Sequence, residues 1–137
     1  MSHDEVTEEA DAWLSRGRND LRAARILLAA DPPLPGDAAF HCQQAAEKAL
    51  KALLTLHRHP FPKTHDLGML AAACLEYEPG LHDLLRTAAP LTEYAWRFRY
   101  PGDLFSPPVD EVVDATGIAA EVVAEVTSRV GGPPRER

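Results

Sequence analysis

The chain has 137 residues, of which 45% are hydrophobic and 26% are charged. A chain of this length buries about two-thirds of the surface that its unfolded form exposes, so one domain with one core is expected. The composition argues against a chain that is disordered throughout. The net charge of -7 argues against indiscriminate binding to DNA, because such binding depends on neutralising phosphates.

Cysteine usage and hydropathy indicate the cellular compartment that is expected for the protein. Cys42 and Cys74 lie in apolar helical sequence without CxxC spacing, so buried reduced thiols are expected rather than a disulfide or a zinc site. No run approaches the roughly 20 apolar residues of a membrane span, and the first residues are acidic where a secretory signal would be basic. We therefore expect a cytoplasmic protein.

Positive charge is concentrated in residues 16 to 63. Eight basic residues stand there against four acidic ones, a local balance of +4. This segment could hold an anion in an otherwise acidic protein. The basic residues are Arg16, Arg18, Arg22, Arg25, Lys48, Lys51, Arg58 and Lys63.

Two long helices are predicted in the first half of the chain. Apolar residues recur at spacings of three and four from about Glu8 to Ala30. The proline-rich segment 31–36 ends this helix, because proline lacks the backbone N–H that the next turn needs. Asp37 is a candidate cap for a second helix that extends to about His57.

Three shorter helical segments are predicted in the second half. Thr64 is expected to cap a helix over about 65–77, and Pro90 is expected to kink or split the next one, over about 81–100. A valine-rich helix follows Pro108, and the tail 131–137 is expected to be disordered. No run alternates as a half-buried strand would. The sequence thus predicts one all-α domain over residues 1–130, a five-helix antiparallel up-and-down bundle.

The second helix contains a polar strip. His41, Gln44, Lys48 and Lys51 fall on one helical face and offer an imidazole, an amide and two ammonium groups. Such a face suits a nucleotide, an RNA or a partner protein. The alternative is an ordinary solvated face, with Glu47 and Lys51 paired at i,i+4.

A second candidate motif is Thr64-His65-Asp66-Leu67. A carboxylate could hold His65 and tune it for catalysis or for phosphate binding. Alternatively, Thr64 and Asp66 only complement the start of the helix. His57, His59 and His65 have neither zinc-finger nor HExxH spacing, so we predict no metal site.

The third motif covers residues 94–103 and combines aromatic side chains with two arginines. Arg97, Arg99 and Tyr100 suit stacking on bases and contact with phosphate. The alternative is an aromatic core cluster in which Arg97 pairs with Glu93.

Taken together, the three motifs resemble the HEPN domain (higher eukaryotes and prokaryotes nucleotide-binding). The resemblance runs from about Ala12 to Val130 and rests on His41-Cys-Gln-Gln-Ala-Ala-Glu-Lys-Ala-Leu-Lys51, on residues 64–67 and on Arg99-Tyr-Pro-Gly-Asp103. It implies a five-helix bundle, usually dimeric. In bacteria and archaea it also implies a frequent pairing with a minimal nucleotidyltransferase as toxin and antitoxin.

The resemblance also raises the possibility of metal-independent ribonuclease activity. Many members of the family use an arginine followed after four to six residues by a histidine. Neither Arg97 nor Arg99 has a histidine at that distance, which disfavours catalysis. Arg58 and His65 satisfy the spacing in a different loop, but about one such match is expected by chance.

The leading hypothesis is therefore a HEPN protein that binds a nucleotide or a nucleotidyltransferase partner and forms a homodimer, without a cofactor. Arg99 is expected to dominate anion binding, together with Lys48, Lys51, Arg97 and Tyr100. His41, Gln44, Asp66 and Asp103 are expected to support these residues or to face a partner. The alternatives are an endoribonuclease toxin that uses Arg58, His65 and Arg99, and a helical adaptor without a ligand. In an up-and-down bundle, successive helices start at opposite ends. We therefore expect His65 to lie near Arg58 and far from His41.

Overall fold

The computed structural model describes residues 1–97, 101 and 106–130. In these residues the chain forms five α-helices and no strand, which confirms the all-α bundle. Arg99, Tyr100 and Asp103, and the tail 131–137, lie outside the described residues. Within the described part, no helix is both long enough and apolar enough to cross a bilayer.

Helices α1 and α2 form the long pair at the start of the chain. Helix α1 spans His3–Ala29, and Ser2 caps it by accepting a hydrogen bond from the Glu5 backbone N–H. Helix α2 spans Pro35–Leu56. The expected cap at Asp37 is wrong: the helix already begins with Pro35, whose missing N–H and fixed φ suit a first helical position.

Helix α3 spans Leu67–Leu75, two residues shorter at each end than predicted. Its cap is Asp66 and not Thr64, since the Asp66 carboxylate accepts from the Gly68 and Met69 backbone N–H groups. The Thr64 hydroxyl instead accepts from the backbone N–H of Asp66, the residue that precedes the helix. Both side chains thus build the turn into α3.

The fourth segment changes its helix type at Pro90. A short 3₁₀ turn, Pro79–Leu81, leads into α4, His82–Ala88, and a second 3₁₀ stretch continues over Ala89–Ala95. Proline removes one backbone donor and clashes with the carbonyl of the preceding turn, so the α-helix does not pass through it. Of the two outcomes expected at Pro90, a kink or a split, the structure shows the split.

Helix α5, Val109–Val130, completes the bundle and packs against both α1 and α2. Helix α2 lies at the centre, with a face of fully buried alanines and leucines. Small side chains let α1 approach closely: a Cβ added at Gly17 would lie 3.2 Å from the Ala45 carbonyl oxygen. Cys42 and Cys74 are free and buried, as predicted.

The direction of α3 depends on the loop over residues 57–66. This loop runs back along α2, because the His65 carbonyl accepts from Gln43 in the first half of α2. Helix α3 then runs in the same direction as α2, and the Cys74 thiol reaches the Leu50 carbonyl. The expectation that His65 lies beside Arg58 is therefore wrong. His65 sits next to Gln43, which is only about 3 Å along the helix axis from His41.

Candidate functional site

The centre of the candidate site is a carboxylate buried inside the bundle. Glu47 lies in the middle of α2, and its side chain is only 4% exposed. It accepts hydrogen bonds from Gln43 Nε2 at 3.0 Å, from His65 Nδ1 at 2.7 Å and from Lys51 Nζ at 3.0 Å. Three donors around one carboxylate compensate for its lost solvation.

The charge state of Glu47 follows from these contacts. Burial alone would raise the pKa of this carboxyl group, but the hydrogen bonds from Gln43, His65 and Lys51 outweigh it and lower the pKa below its usual value. Glu47 is therefore ionised at neutral pH, and it can only accept hydrogen bonds.

An ionised Glu47 fixes the orientation and tautomer of His65. Because the carboxylate cannot donate, Nδ1 of His65 must carry the proton that lies between the two groups. The other ring nitrogen, Nε2, belongs to a side chain that is 65% exposed. The neutral ring thus presents a bare Nε2 that can take up a proton, and the protonated ring presents an N–H donor.

Lys51 closes the buried side of this network. Its ammonium group lies 5.5 Å from the centre of the Trp13 ring and 5.9 Å from that of Phe61. The two rings meet edge to face. Two aromatic faces and the Glu47 carboxylate replace the water that a lysine ordinarily keeps. The predicted Glu47–Lys51 pair is confirmed, but the pair is buried and does not belong to a solvated face.

A second charged cluster lies between α1 and α2. Asp20, on the buried side of α1, accepts from His41 Nδ1 at 2.8 Å and from Lys48 Nζ at 2.5 Å. The predicted polar strip therefore divides: His41 and Lys48 turn towards α1, and Lys51 turns towards Glu47. Gln44 lies between the two clusters and donates to the Gln43 side-chain oxygen at 2.7 Å.

The start of α3 also meets the 3₁₀ stretch that leads to the third motif. The Leu67 backbone N–H donates to the Thr92 hydroxyl at 3.0 Å. The next residue, Glu93, pairs with Arg97 at 3.3 Å. This is the pair that the alternative interpretation of the third motif predicted. The first two motifs are thus in contact at Glu47 and His65, and the approach to the third lies beside them.

Arg58 does not belong to this site. It follows the end of α2 with a positive φ of 55°, and its guanidinium donates to the Met1 carbonyl. It lines a separate cavity of about 410 Å³ together with His59 and Phe61. The last residue of α2, Leu56, lies about 13 Å along the helix axis from Glu47, and Arg58 follows two positions after it. The structure does not bring Arg58 and His65 together.

The described residues contain no group of three or more His, Cys, Asp or Glu side chains that could hold a metal ion. His59 Nδ1 contacts the Tyr77 hydroxyl and the His57 ring stacks on Tyr77, whereas His65 Nδ1 contacts Glu47. The chemistry open to the site is that of an exposed imidazole held by a carboxylate.

Sequence reasoning missed two residues that hold the clusters together. Asp20 is an acidic residue within the apolar stripe of α1, and that position is the signal that it is buried with a partner. Gln43 precedes Glu47 and Lys51 at steps of four, a polar row on a face that α2 buries.

The fold and the site define an all-helical domain with polar clusters along its central helix. The model of the HEPN domain matches residues 10–129, and the chain belongs to this family. No curated protein and no solved structure matches the chain at a significant level.

Proposed function

We propose that this HEPN protein binds the phosphate group of a nucleotide or an RNA at the exposed Nε2 of His65. The observation that carries the proposal is the bond from His65 Nδ1 to the buried Glu47 carboxylate. That bond orients the ring, and the 65% exposed side chain leaves Nε2 open to solvent. A phosphate oxygen is an anionic acceptor for such an N–H donor.

The predicted basic residues have graded roles in this proposal. Arg97 and Arg99 follow the 3₁₀ stretch beside α3 and supply charge to the same ligand, with Tyr100 available for stacking on a base. Lys48 and Lys51 contribute less, because Asp20 and Glu47 neutralise them at short range. Lys51 therefore mainly holds Glu47 and, through it, His65, whereas Lys48 holds Asp20.

The test is a binding titration of the full chain with 5′-AMP and, separately, with a single-stranded RNA oligonucleotide. We expect His65→Gln to weaken binding by about 1 to 3 kcal/mol, the usual contribution of a hydrogen bond to a charged group. His82→Gln is the matched control, because the His82 side chain is 63% exposed and its Nδ1 contacts the exposed Asp83 instead of a buried carboxylate. Equal affinities for wild type and His65→Gln would refute the proposal.

We further propose that the protein forms a homodimer and works beside a minimal nucleotidyltransferase in a toxin–antitoxin-like pair. Membership of the HEPN family supports this pairing. A nucleotidyltransferase gene next to the gene for this chain would support it further, and co-expression of the two products should then yield a complex that co-purifies.

Endoribonuclease activity is a second candidate, favoured by the same Glu47–His65 contact. A carboxylate-held imidazole with a free Nε2 is a suitable general base for a ribose hydroxyl group. In this version His65 acts without Arg58. RNA cleavage that persists in the presence of a chelator and is lost in His65→Gln would establish the activity. Binding of the RNA without cleavage would support only the phosphate-binding proposal.

A further inference from the structure

We propose that the cavity between the first part of α1 and the end of α2 binds a zwitterion with a flat apolar side chain, of the class of an aromatic amino acid. This site is separate from the phosphate site at His65 and goes beyond the proposed function. The cavity measures about 410 Å³, and its lining includes Glu9 of α1 and, in the loop after α2, Arg58, His59 and Phe61. This volume lies within the usual range of small-molecule sites.

Arg58 has a backbone conformation that ordinarily belongs to glycine. Helix α2 ends in a Schellman motif: the Arg58 N–H donates to the Thr55 carbonyl at 3.0 Å, and the His59 N–H donates to the Leu54 carbonyl at 2.9 Å. The residue after the C-cap of this motif is left-handed and is usually glycine, and Arg58 has a φ of 55° there. Strained residues of this kind cluster at functional sites, which makes the Arg58 side chain a candidate for function.

The Arg58 side chain reaches across the cavity towards the start of α1. Its guanidinium donates at 2.7 Å to the carbonyl of Met1, which also lines the cavity. Because a guanidinium carries several N–H donors, this bond leaves others for a ligand. The two oxygens of a carboxylate match the fork that a guanidinium presents. Arg58 is therefore suited to hold the carboxylate of a ligand at this end of the bundle.

An acidic side chain borders the same cavity. Glu9 is exposed on α1, and among the described residues it forms no ion pair with Arg58. Glu9 would repel a ligand that carries only negative charge, and Arg58 would repel one that carries only positive charge. A zwitterion satisfies both side chains, because its ammonium group can bind Glu9 while its carboxylate binds Arg58. The lining thus selects a ligand that carries both charges.

The apolar part of the lining is aromatic. Phe61 lines the cavity, and its ring packs edge to face on Trp13, with the ring centres 6.1 Å apart. Trp13 lines a neighbouring hollow of about 250 Å³ along α1, and the two hollows share Glu9. Aromatic pairs contribute binding energy beyond the area that they bury, so a flat ring is favoured over an aliphatic side chain next to Phe61.

The first test is a calorimetric titration of the full chain with L-phenylalanine and with three analogues that each lack one of its features. Hydrocinnamate lacks the ammonium group, phenethylamine lacks the carboxylate, and L-alanine lacks the ring. We expect saturable binding of L-phenylalanine and at least about tenfold weaker binding of each analogue, because each loses a charged hydrogen bond or the aromatic contact. Absence of saturable L-phenylalanine binding, or equal binding of any analogue, would overturn the proposal.

The second test removes the acidic charge of the cavity. Glu9→Gln should weaken L-phenylalanine binding about tenfold, since the ammonium group of the ligand loses its charged partner. Glu8→Gln is the matched control: Glu8 is the neighbouring exposed acid of α1 and does not line the cavity, so this variant should bind as the wild type does. Equal affinities for the two variants would contradict the site.

The third test separates binding from folding at position 58. Glycine adopts the left-handed conformation without strain, so Arg58→Gly should keep or raise the melting temperature while it weakens L-phenylalanine binding about tenfold. Wild-type affinity in this variant, or a joint fall of affinity and melting temperature, would overturn the role of Arg58. His65→Gln should bind L-phenylalanine as the wild type does, and a loss there would place the ligand at the phosphate site and refute a second site.

Discussion

At the scale of single residues, the Glu47 carboxylate determines both the local stability and the orientation of His65. Its three donors come from α2 itself and from the loop before α3. Removing the charge leaves the Lys51 ammonium, whose side chain is only 10% exposed, without a counter-ion. An uncompensated buried charge is among the larger penalties that one substitution can produce.

We therefore expect Glu47→Gln to lower the free energy of unfolding by about 3 kcal/mol. Denaturant unfolding followed by circular dichroism measures the change. Glu93→Gln serves as the control: Glu93 also pairs with a residue four positions later, but both partners are more than half exposed, and its loss should cost less than about 0.5 kcal/mol. Equal losses for the two variants would show that the buried pair contributes no more than a surface pair.

The lowered pKa of Glu47 gives this contribution a pH dependence. A carboxyl group whose pKa is lower in the folded state stabilises the fold above its unfolded pKa, near 4.5, and loses that effect as the pH falls through the folded value. Wild-type stability should therefore fall more steeply with acid than that of Glu47→Gln, and the two curves should converge. Parallel curves over the acid range would contradict the assignment.

The residue scale also shows what the sequence could and could not predict. The Glu47–Lys51 pair follows from i,i+4 spacing alone. Its burial does not, because Phe61 and Trp13 cover it from a loop and from another helix. A carboxylate partner for His65 was one of the two alternatives, but its identity depends on a contact 18 positions away in sequence.

At the scale of elements, two candidate caps at the start of α3, Thr64 and Asp66, have different hydrogen-bond partners. The Asp66 carboxylate accepts from two orphan N–H groups of the first turn, while Thr64 accepts only from Asp66 itself. Asp66→Ala should cost about 1 kcal/mol of stability, the usual loss for a helix cap, and Thr64→Ala should cost clearly less. Thermal melts of the two variants check the order, and a reversed order would restore Thr64 as the cap.

Helix boundaries were predictable where proline fixes them. Pro90 removes a backbone donor at a position that an α-helix requires, and the switch to 3₁₀ geometry follows directly. The sequence does not identify Pro35 as the first residue of α2, because the proline-rich segment that contains it suits a loop equally well. The preference of a single residue fixes a helix boundary only when it is already known whether that residue lies inside or outside the helix.

At the scale of the whole molecule, the path of one loop decides which motifs meet. Periodicity predicts the helices, but it carries no information on whether the loop over residues 57–66 turns at the end of α2 or runs back along it. The return path brings His65 to Glu47 and separates it from Arg58. Hydrogen bonds between distant residues select that path, and they depend on tertiary packing that local patterns do not encode.

The most direct measurement of the central claim is an NMR titration of the histidine side chains of the full chain with 5′-AMP. We predict a saturable shift of the His65 Nε2 resonance while its Nδ1 proton stays bonded to Glu47, and no shift at His82. His65 is assigned by the signal that His65→Gln removes. Saturable 5′-AMP binding that leaves the His65 resonances in place, or the absence of any histidine shift, would contradict the claim that the carboxylate-held imidazole is the phosphate ligand.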